Sequence, residues 1–352
     1  MKKEIGIFIL LVVLCAVVAL KNPLFLSPTN LHNMAQLVGI YGIYSIGAGV
    51  VIITGGIDLS VGSFFALMGV VLAILLTEKH WSWPLAIIAV VGLGLAVGSL
   101  HGFLITRVGL QPFIVTLCGL LFYRGLARFI ADDTTKGFGE SVGFTQLKEF
   151  ATGSLGDILE RYMGSLCDIV RHYAKAHHIS MLKEFPTGGL GGVPMPFILL
   201  VVISLLMWVA LHRSVYGRYL FAVGRNEDAA RYSGINTRRV TASAYVLCGA
   251  LASVSGILLA FYTNSVSPSS HGNFYELYGI AAAVLGGCSL RGGEGSIIGI
   301  LIGTALLQVL RNLVNLLGIP SSLDFAVTGA VILLGVIADQ LMKQNAARRR
   351  KA

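Results

Sequence analysis

Gly55-Gly56-Ile57-Asp58-Leu59-Ser60-Val61-Gly62-Ser63 interrupts an apolar run that otherwise extends from Leu37 to Leu76. Across those forty residues Asp58 is the only charge. A lone carboxylate between two membrane-length segments is costly to bury, so it acquires a partner or a task. The paired glycines permit a sharp break, after which Asp58 or Ser60 can cap the helix that restarts. Two readings stand at this point: a tight helix–helix turn with a capping acid, or a carboxylate with a direct functional role.

Composition decides the class. Of 352 residues, 55% are hydrophobic and 12% charged, and mean hydropathy is +0.79. A soluble domain carries about 25% charged residues, so this is an all-α polytopic membrane bundle. The net charge of +9 does not imply nucleic acid, because the basic excess sits in loops and termini, as the positive-inside rule expects. The five cysteines, Cys15, Cys118, Cys167, Cys248 and Cys288, have no paired spacing and imply neither a disulfide nor a zinc framework. The apolar run after Met1-Lys2-Lys3 has no small-x-small cleavage site and is read as an uncleaved first span.

About twenty apolar residues cross a bilayer. That length predicts about ten spans, near 5–20, 32–54, 60–77, 84–106, 111–130, 193–211, 240–262, 275–288, 295–315 and 322–341. Residues 1–130 thus hold five spans and 193–342 five more. With the N-terminus inside, the basic loop 212–239 and the basic tail 343–352 are cytoplasmic, and so is the C-terminus. The segment 131–192 becomes a long outer loop. Ser154 followed by Leu155, Ile158, Leu159, Tyr162, Leu166, Ile169, Val170 and Tyr173 predicts one amphipathic helix there. His172, His177, His178 and Cys167 fit no standard metal spacing, so neither metal nor cofactor is expected.

Two spans are built for close approach, with Gly94, Gly98 and Gly102 in one and Gly295, Gly299 and Gly303 in the other. The eighth span is short and ends in Gly286-Gly287, as in a broken helix. Gly286-Gly287-Cys288-Ser289-Leu290 echoes Gly55-Gly56-Ile57-Asp58-Leu59. Arg124 and Arg128 near the outer end of the fifth span are expected to snorkel or pair with an acid.

Within the basic loop a short helix is fully signalled. Asn226 is a good N-cap, Glu227 and Asp228 suit the first turn, Ala229 and Ala230 favour helix, Arg231 suits the last turn, and Gly234 terminates it. Such completeness favours a docking element over a linker. The order Glu227-x-Ala229-Ala230-x-x-x-Gly234 resembles the cytoplasmic coupling motif of ATP-binding-cassette (ABC) importer permeases. More closely, the stretches 55–63, 222–236 and 284–299 resemble the ribose-type sugar permeases. The resemblance covers nearly the whole chain, although 131–192 is longer than that family's usual outer loop. It implies that residues 226–234 are a coupling helix seated on an ABC ATPase subunit. It further implies a second permease subunit, identical or not, and an extracytoplasmic sugar-binding protein. No Gly-x-x-x-x-Gly-Lys-Ser/Thr phosphate loop occurs, so the chain is not expected to be an enzyme and its energy comes from elsewhere.

Polar residues inside spans mark a candidate path. Thr304, Gln308, Asn312 and Asn315 share a helical face, with Arg311 beside them. Neutral amides and hydroxyls suit an uncharged polyol such as a monosaccharide. Tyr41, Tyr44, Phe64 and Phe65 flank the opening stretch as possible apolar sugar-facing surfaces, with core packing as the simpler account of each. Gly55, Gly56, Asp58, Ser60, Gly62, Gly286 and Gly287 are expected to form a gate. The competing classes are an ion-coupled carrier with Asp58 as its ion site and an intramembrane enzyme, although Gly-x-Ser-Gly, His-Glu-x-x-His and Gly-x-Gly-Asp patterns are absent.

Overall fold

A computed structural model of the chain describes residues 2–139, 147–148, 152–157, 160–161 and 192–318, and beyond them 320, 323, 326–327, 329–330 and 333. The helices are α1 (Lys2–Lys21), α2 (Pro28–Ile53), α3 (Val61–Thr77), α4 (Trp83–Phe103), α5 (Pro112–Ile130), α6 (Met195–His212), α7 (Val215–Arg225), α8 (Glu227–Tyr232), α9 (Thr237–Thr263), α10 (Tyr275–Leu285) and α11 (Ile297–Leu316). Seven of them are long and apolar enough to cross a membrane, while α3 and α10 are shorter apolar helices. Together these nine match nine of the ten expected spans. The tenth, the basic tail and most of the predicted 154–173 helix lie outside the described residues. At the start of that helix, the Ser154 hydroxyl accepts the Asp157 N–H at 3.3 Å.

Helix α2 forms the axis of the bundle, with 89% of its apolar window buried against 6% for α1. From Leu37 to Ile53 α2 is apolar but for Ser45, and a stretch with no polar face is sheltered by neighbours or by lipid; here α2 has the neighbours. Both glycine triplets serve close packing inside the bundle. A Cβ on Gly94, Gly98 or Gly102 would meet α9 at Gly249, Tyr245 or Ala242. One on Gly299 or Gly303 would meet the carbonyls of Gly286 or Ala282 on α10. Small residues let backbones touch where lipid supplies no hydrophobic drive between helices.

The two short helices give the bundle its interior. At 1.5 Å per residue α3 is about 26 Å long and α10 about 17 Å, against a hydrocarbon thickness of about 30 Å. Each starts inside the bundle, and their first turns meet. A Cβ at Gly62 would collide with the Glu276 carboxylate and the Gly272 carbonyl. Arg124 of α5 braces this junction by donating to the carbonyls of Pro268 at 3.0 Å and His271 at 2.8 Å. Arg128, one turn on, donates from Nε and Nη2 to the two carboxylate oxygens of Asp133. At the end of the bundle that carries the far ends of α3 and α9, strand β1 (Lys136–Gly137) pairs antiparallel with β2 (Ser265–Val266).

The echo between the two Gly-Gly breaks exists in three dimensions, shifted by one residue. Gly55 and Gly287, not Gly55 and Gly286, are the left-handed residues, with φ of +84° and +92°. Gly55 donates to Ile52 and Gly56 to Val51, while Gly287 donates to Val284 and Cys288 to Ala283. Both are Schellman caps, in which the bonding pattern fixes where the left-handed residue must fall. The glycine identities of the two stretches therefore correspond one residue away from their cap positions.

Candidate functional site

Three polar regions occupy the interior or one end of the bundle. The first is built on the opening stretch. Asp58 is 7% exposed. Its Oδ1 accepts the Ser60 N–H at 2.9 Å and the Ser60 hydroxyl at 2.7 Å. Its Oδ2 lies 3.8 Å from Nδ1 of His101, a buried residue of α4. The other ring nitrogen of His101 is hydrogen-bonded to the Tyr123 hydroxyl at 2.8 Å. Asp58 therefore organises the turn rather than capping α3, whose N-cap Ser60 makes no side-chain cap bond. Around it Gly56 leaves room for the Tyr245 hydroxyl. His101 and Tyr123 were missed by sequence reasoning, although His101 is the one titratable residue in its apolar run.

The second region is a small cavity lined by Tyr41, Tyr44 and Ser45 of α2, Tyr278 and Ala282 of α10, and Thr304, Leu307 and Gln308 of α11. The freely accessible core of that space holds about one water. Thr304 and Gln308 are buried because i and i+4 on α11 both face α2 and α10. The Tyr44 hydroxyl is buried with no hydrogen-bond partner among the described residues. A buried hydroxyl left unpaired forgoes about 1–3 kcal/mol, so this wall is poised for a polar guest. Tyrosine rings crowd the cavity, with Tyr41 centred 5.8 Å from Tyr44 and 5.0 Å from Tyr275.

Not every candidate from the sequence converges here. Thr304, Gln308 and Tyr44 do. Asn312 instead forms a reciprocal amide pair with Asn30 of α2, at 3.2 and 2.7 Å. Asn315 is exposed. Phe64 packs edge-on to Tyr123, 5.7 Å between centroids, on the Asp58 side; it is Phe65 that meets Tyr44, at 5.2 Å.

The third region is the surface formed by the 212–239 loop. The loop holds two helices where the sequence signalled one. The predicted helix is α8: the Asn226 side chain accepts the Ala229 N–H at 2.9 Å. Arg231 pairs with Glu227 at 3.2 Å and faces Asp228 at 3.8 Å. Gly234, at φ +84°, closes the helix, its N–H bonding Arg231 and that of Ile235 bonding Ala230. Ala230 is buried while Glu227, Asp228 and Arg231 face outward. The unexpected helix, α7, is capped by Ser214 and runs directly into the Asn226 cap. Its last turn touches both breaks. A Cβ at Gly224 would collide with the Ile53 carbonyl and the Gly293 N–H, and one at Gly292 with the Gly224 carbonyl and the Gly55 backbone. Gly293 also donates to Ile53 at 2.8 Å. Three chain reversals therefore meet backbone to backbone under the loop.

Comparison with known proteins places this architecture. Residues 30–336 match the family described as "Branched-chain amino acid transport system / permease component". The chain belongs to this permease family. The ribose import permease protein of Escherichia coli (strain K12) is 36% identical over 332 residues, 94% of this chain and 92% of that protein. That of Bacillus subtilis (strain 168) is 35% identical over 96% of this chain and 93% of its own length. The xylose transport system permease protein of Escherichia coli (strain K12) is 32% identical over 91% of this chain and 87% of its own. No solved structure matches the chain. A member of this permease family is a membrane transport subunit and not an enzyme.

Proposed function

We propose that the chain is the membrane-spanning permease of a bacterial ABC importer for a monosaccharide of the ribose or xylose kind. The observation that carries the substrate reading is the cavity between α2, α10 and α11. Its polar lining is neutral: the five hydroxyl-bearing residues Tyr41, Tyr44, Ser45, Tyr278 and Thr304, and the amide of Gln308. Hydroxyls and amides both donate and accept, which matches a polyol, and aromatic rings offer it apolar faces. The ribose and xylose names of the relatives agree with this chemistry. The family description names branched-chain amino acids, whose zwitterion needs paired charges. Among the described residues no charged one lines the cavity, which favours the sugar.

The mechanism is alternating access driven by separate ATPase subunits. Helix α8 docks on an ATPase, and its displacement passes through α7 to the contact of Gly224 with Ile53 and Gly293. Helices α2 and α11 then move against each other and open the cavity to one side or the other. The positive charge of the loop supports a cytoplasmic position for α7 and α8 at the inner membrane, and both termini are assigned to that side. The solute arrives at the opposite face from an extracytoplasmic sugar-binding protein, and a second permease copy, identical or related, completes the assembly in the lipid bilayer. Ion coupling through Asp58 is disfavoured, because its two oxygens already serve Ser60 and face His101.

Reconstitution with its ATPase and binding protein tests this reading. ATP-dependent uptake of radiolabelled pentose, and none of leucine, is the expected result. Leucine uptake, or pentose uptake driven by an ion gradient in the purified chain alone, would overturn it.

A further inference from the structure

The cavity is smaller than any sugar, so its walls must part before a solute enters, and the two ends of the cavity are closed in different ways. Toward the 212–239 loop, α10 and α11 touch through main chain at Gly286–Gly299 and Ala282–Gly303. Such a seam cannot yield without sliding whole helices. Toward the other end the closure is made of side chains, and one residue organises it. Arg311 lies one turn beyond Gln308 on α11 and is only partly buried. Its Nη1 donates to the Tyr41 hydroxyl at 2.9 Å. Its guanidinium also lies 5.5 Å from the Tyr41 ring centre and 4.9 Å from that of Tyr278. Both tyrosines are cavity walls, on α2 and α10. A single cation on a third helix thus holds the two walls together through a hydrogen bond and two ring faces.

We propose that Arg311 is a positioning residue that latches the cavity shut at the end opposite the 212–239 loop, and that admission of the solute requires its grip on Tyr41 and Tyr278 to be released. This rests on the reading of the cavity as the transport path. The Tyr41 hydroxyl occupies the place at the guanidinium that a solute hydroxyl takes on entry, so the latch exchanges one oxygen for another. The contacts involved are individually weak and lie at the rim, whereas the seam below is rigid. The fold therefore opens first on the side that faces the binding protein in the proposed topology.

The test is accessibility. Ser45 lines the cavity and is 1% exposed, so Ser45→Cys in the assembled transporter reports opening to a membrane-impermeant thiol reagent added from the side opposite the loop. Labelling is read at that peptide by mass spectrometry, which sets the native cysteines aside. Adding Arg311→Gln should raise the labelling rate at position 45 by about tenfold, since losing two cation–ring contacts shifts a two-state equilibrium by roughly that factor. Arg311→Lys, which keeps the charge, should restore much of the protection. Tyr41→Phe removes only the accepting oxygen and should give a smaller rise, and it decides the matter if Arg311→Gln fails to assemble. Unchanged labelling in assembled Arg311→Gln or Tyr41→Phe, or a rise seen only from the loop side, would sink the proposal. The outcome does not depend on solute identity. A latch phenotype without pentose uptake removes the sugar assignment alone, and pentose uptake with silent labelling removes the latch alone.

Discussion

The two polar interiors of this bundle are opposite solutions to one problem. Around Asp58 the charged and neighbouring polar groups serve one another: the carboxylate holds Ser60, His101 stands beside it, and Tyr123 completes the chain, with the Tyr245 hydroxyl at Gly56 left without a partner among the described residues. Around Tyr44 the polar groups are left incomplete, with a buried hydroxyl unpaired and space beside Thr304 and Gln308. Burying a satisfied network rigidifies a fold, while burying an unsatisfied group costs stability and is retained where something else is to bind. The charge in the first region first attracts attention as a transport site. The proposed function gives transport to the neutral region and architecture to the charged one.

That contrast can be broken by substitution. Gly56→Leu should have the largest effect, because its side chain would drive into the Tyr245 hydroxyl and Val51; loss of assembled protein from the membrane, seen on blots, is expected, as overpacking costs about 1–3 kcal/mol or more. Gln308→Ala should leave assembly intact but cut the uptake rate at limiting solute by about ten- to a hundredfold, the value of one to two hydrogen bonds to solute. Tyr44→Phe should lower uptake by roughly tenfold with no loss of thermal stability, since the hydroxyl it removes has no partner to lose. A fall in melting temperature for Tyr44→Phe would reveal a structural bond and erase the contrast. Asp58→Asn should keep uptake within about threefold, because an amide oxygen still accepts both Ser60 donors; complete loss in an assembled complex would restore the ion-site reading. Asn312→Ala should do least, costing about 1 kcal/mol from the lost amide pair with Asn30 and leaving uptake unchanged.

The sequence showed what local chemistry determines. Apolar runs marked the long helices, because span length is set by bilayer thickness. The Asn226 and Gly234 caps marked α8, because capping is decided within a few residues. The partners of Asp58 and Arg311 were illegible, since His101 lies 43 positions after Asp58 and the Arg311–Tyr41 bond spans 270 residues. Asn312 misled because a shared helical face records direction, not depth: on α11 the row from Thr304 to Asn315 runs from a cavity wall through a helix–helix clamp to an exposed end. Helix α7 was hidden by its mixed composition, since Tyr216, Arg218, Tyr219 and Arg225 dilute the apolar signal that span counting relies on.

The contact at Gly224 has a bearing on how such transporters diversify. Its closest approaches are between peptide groups, the Gly224 backbone against Ile53 and Gly293, with the Cβ of Arg225 beside Gly293. Under the proposed coupling, the outward residues Glu227, Asp228, Arg231 and Tyr232 face whatever ATPase is present, while transmission inward is carried by the main chain. Recognition and transmission are then separable: the outer residues of α8 can be rewritten to suit a different motor, and the movement delivered to the solute path stays the same.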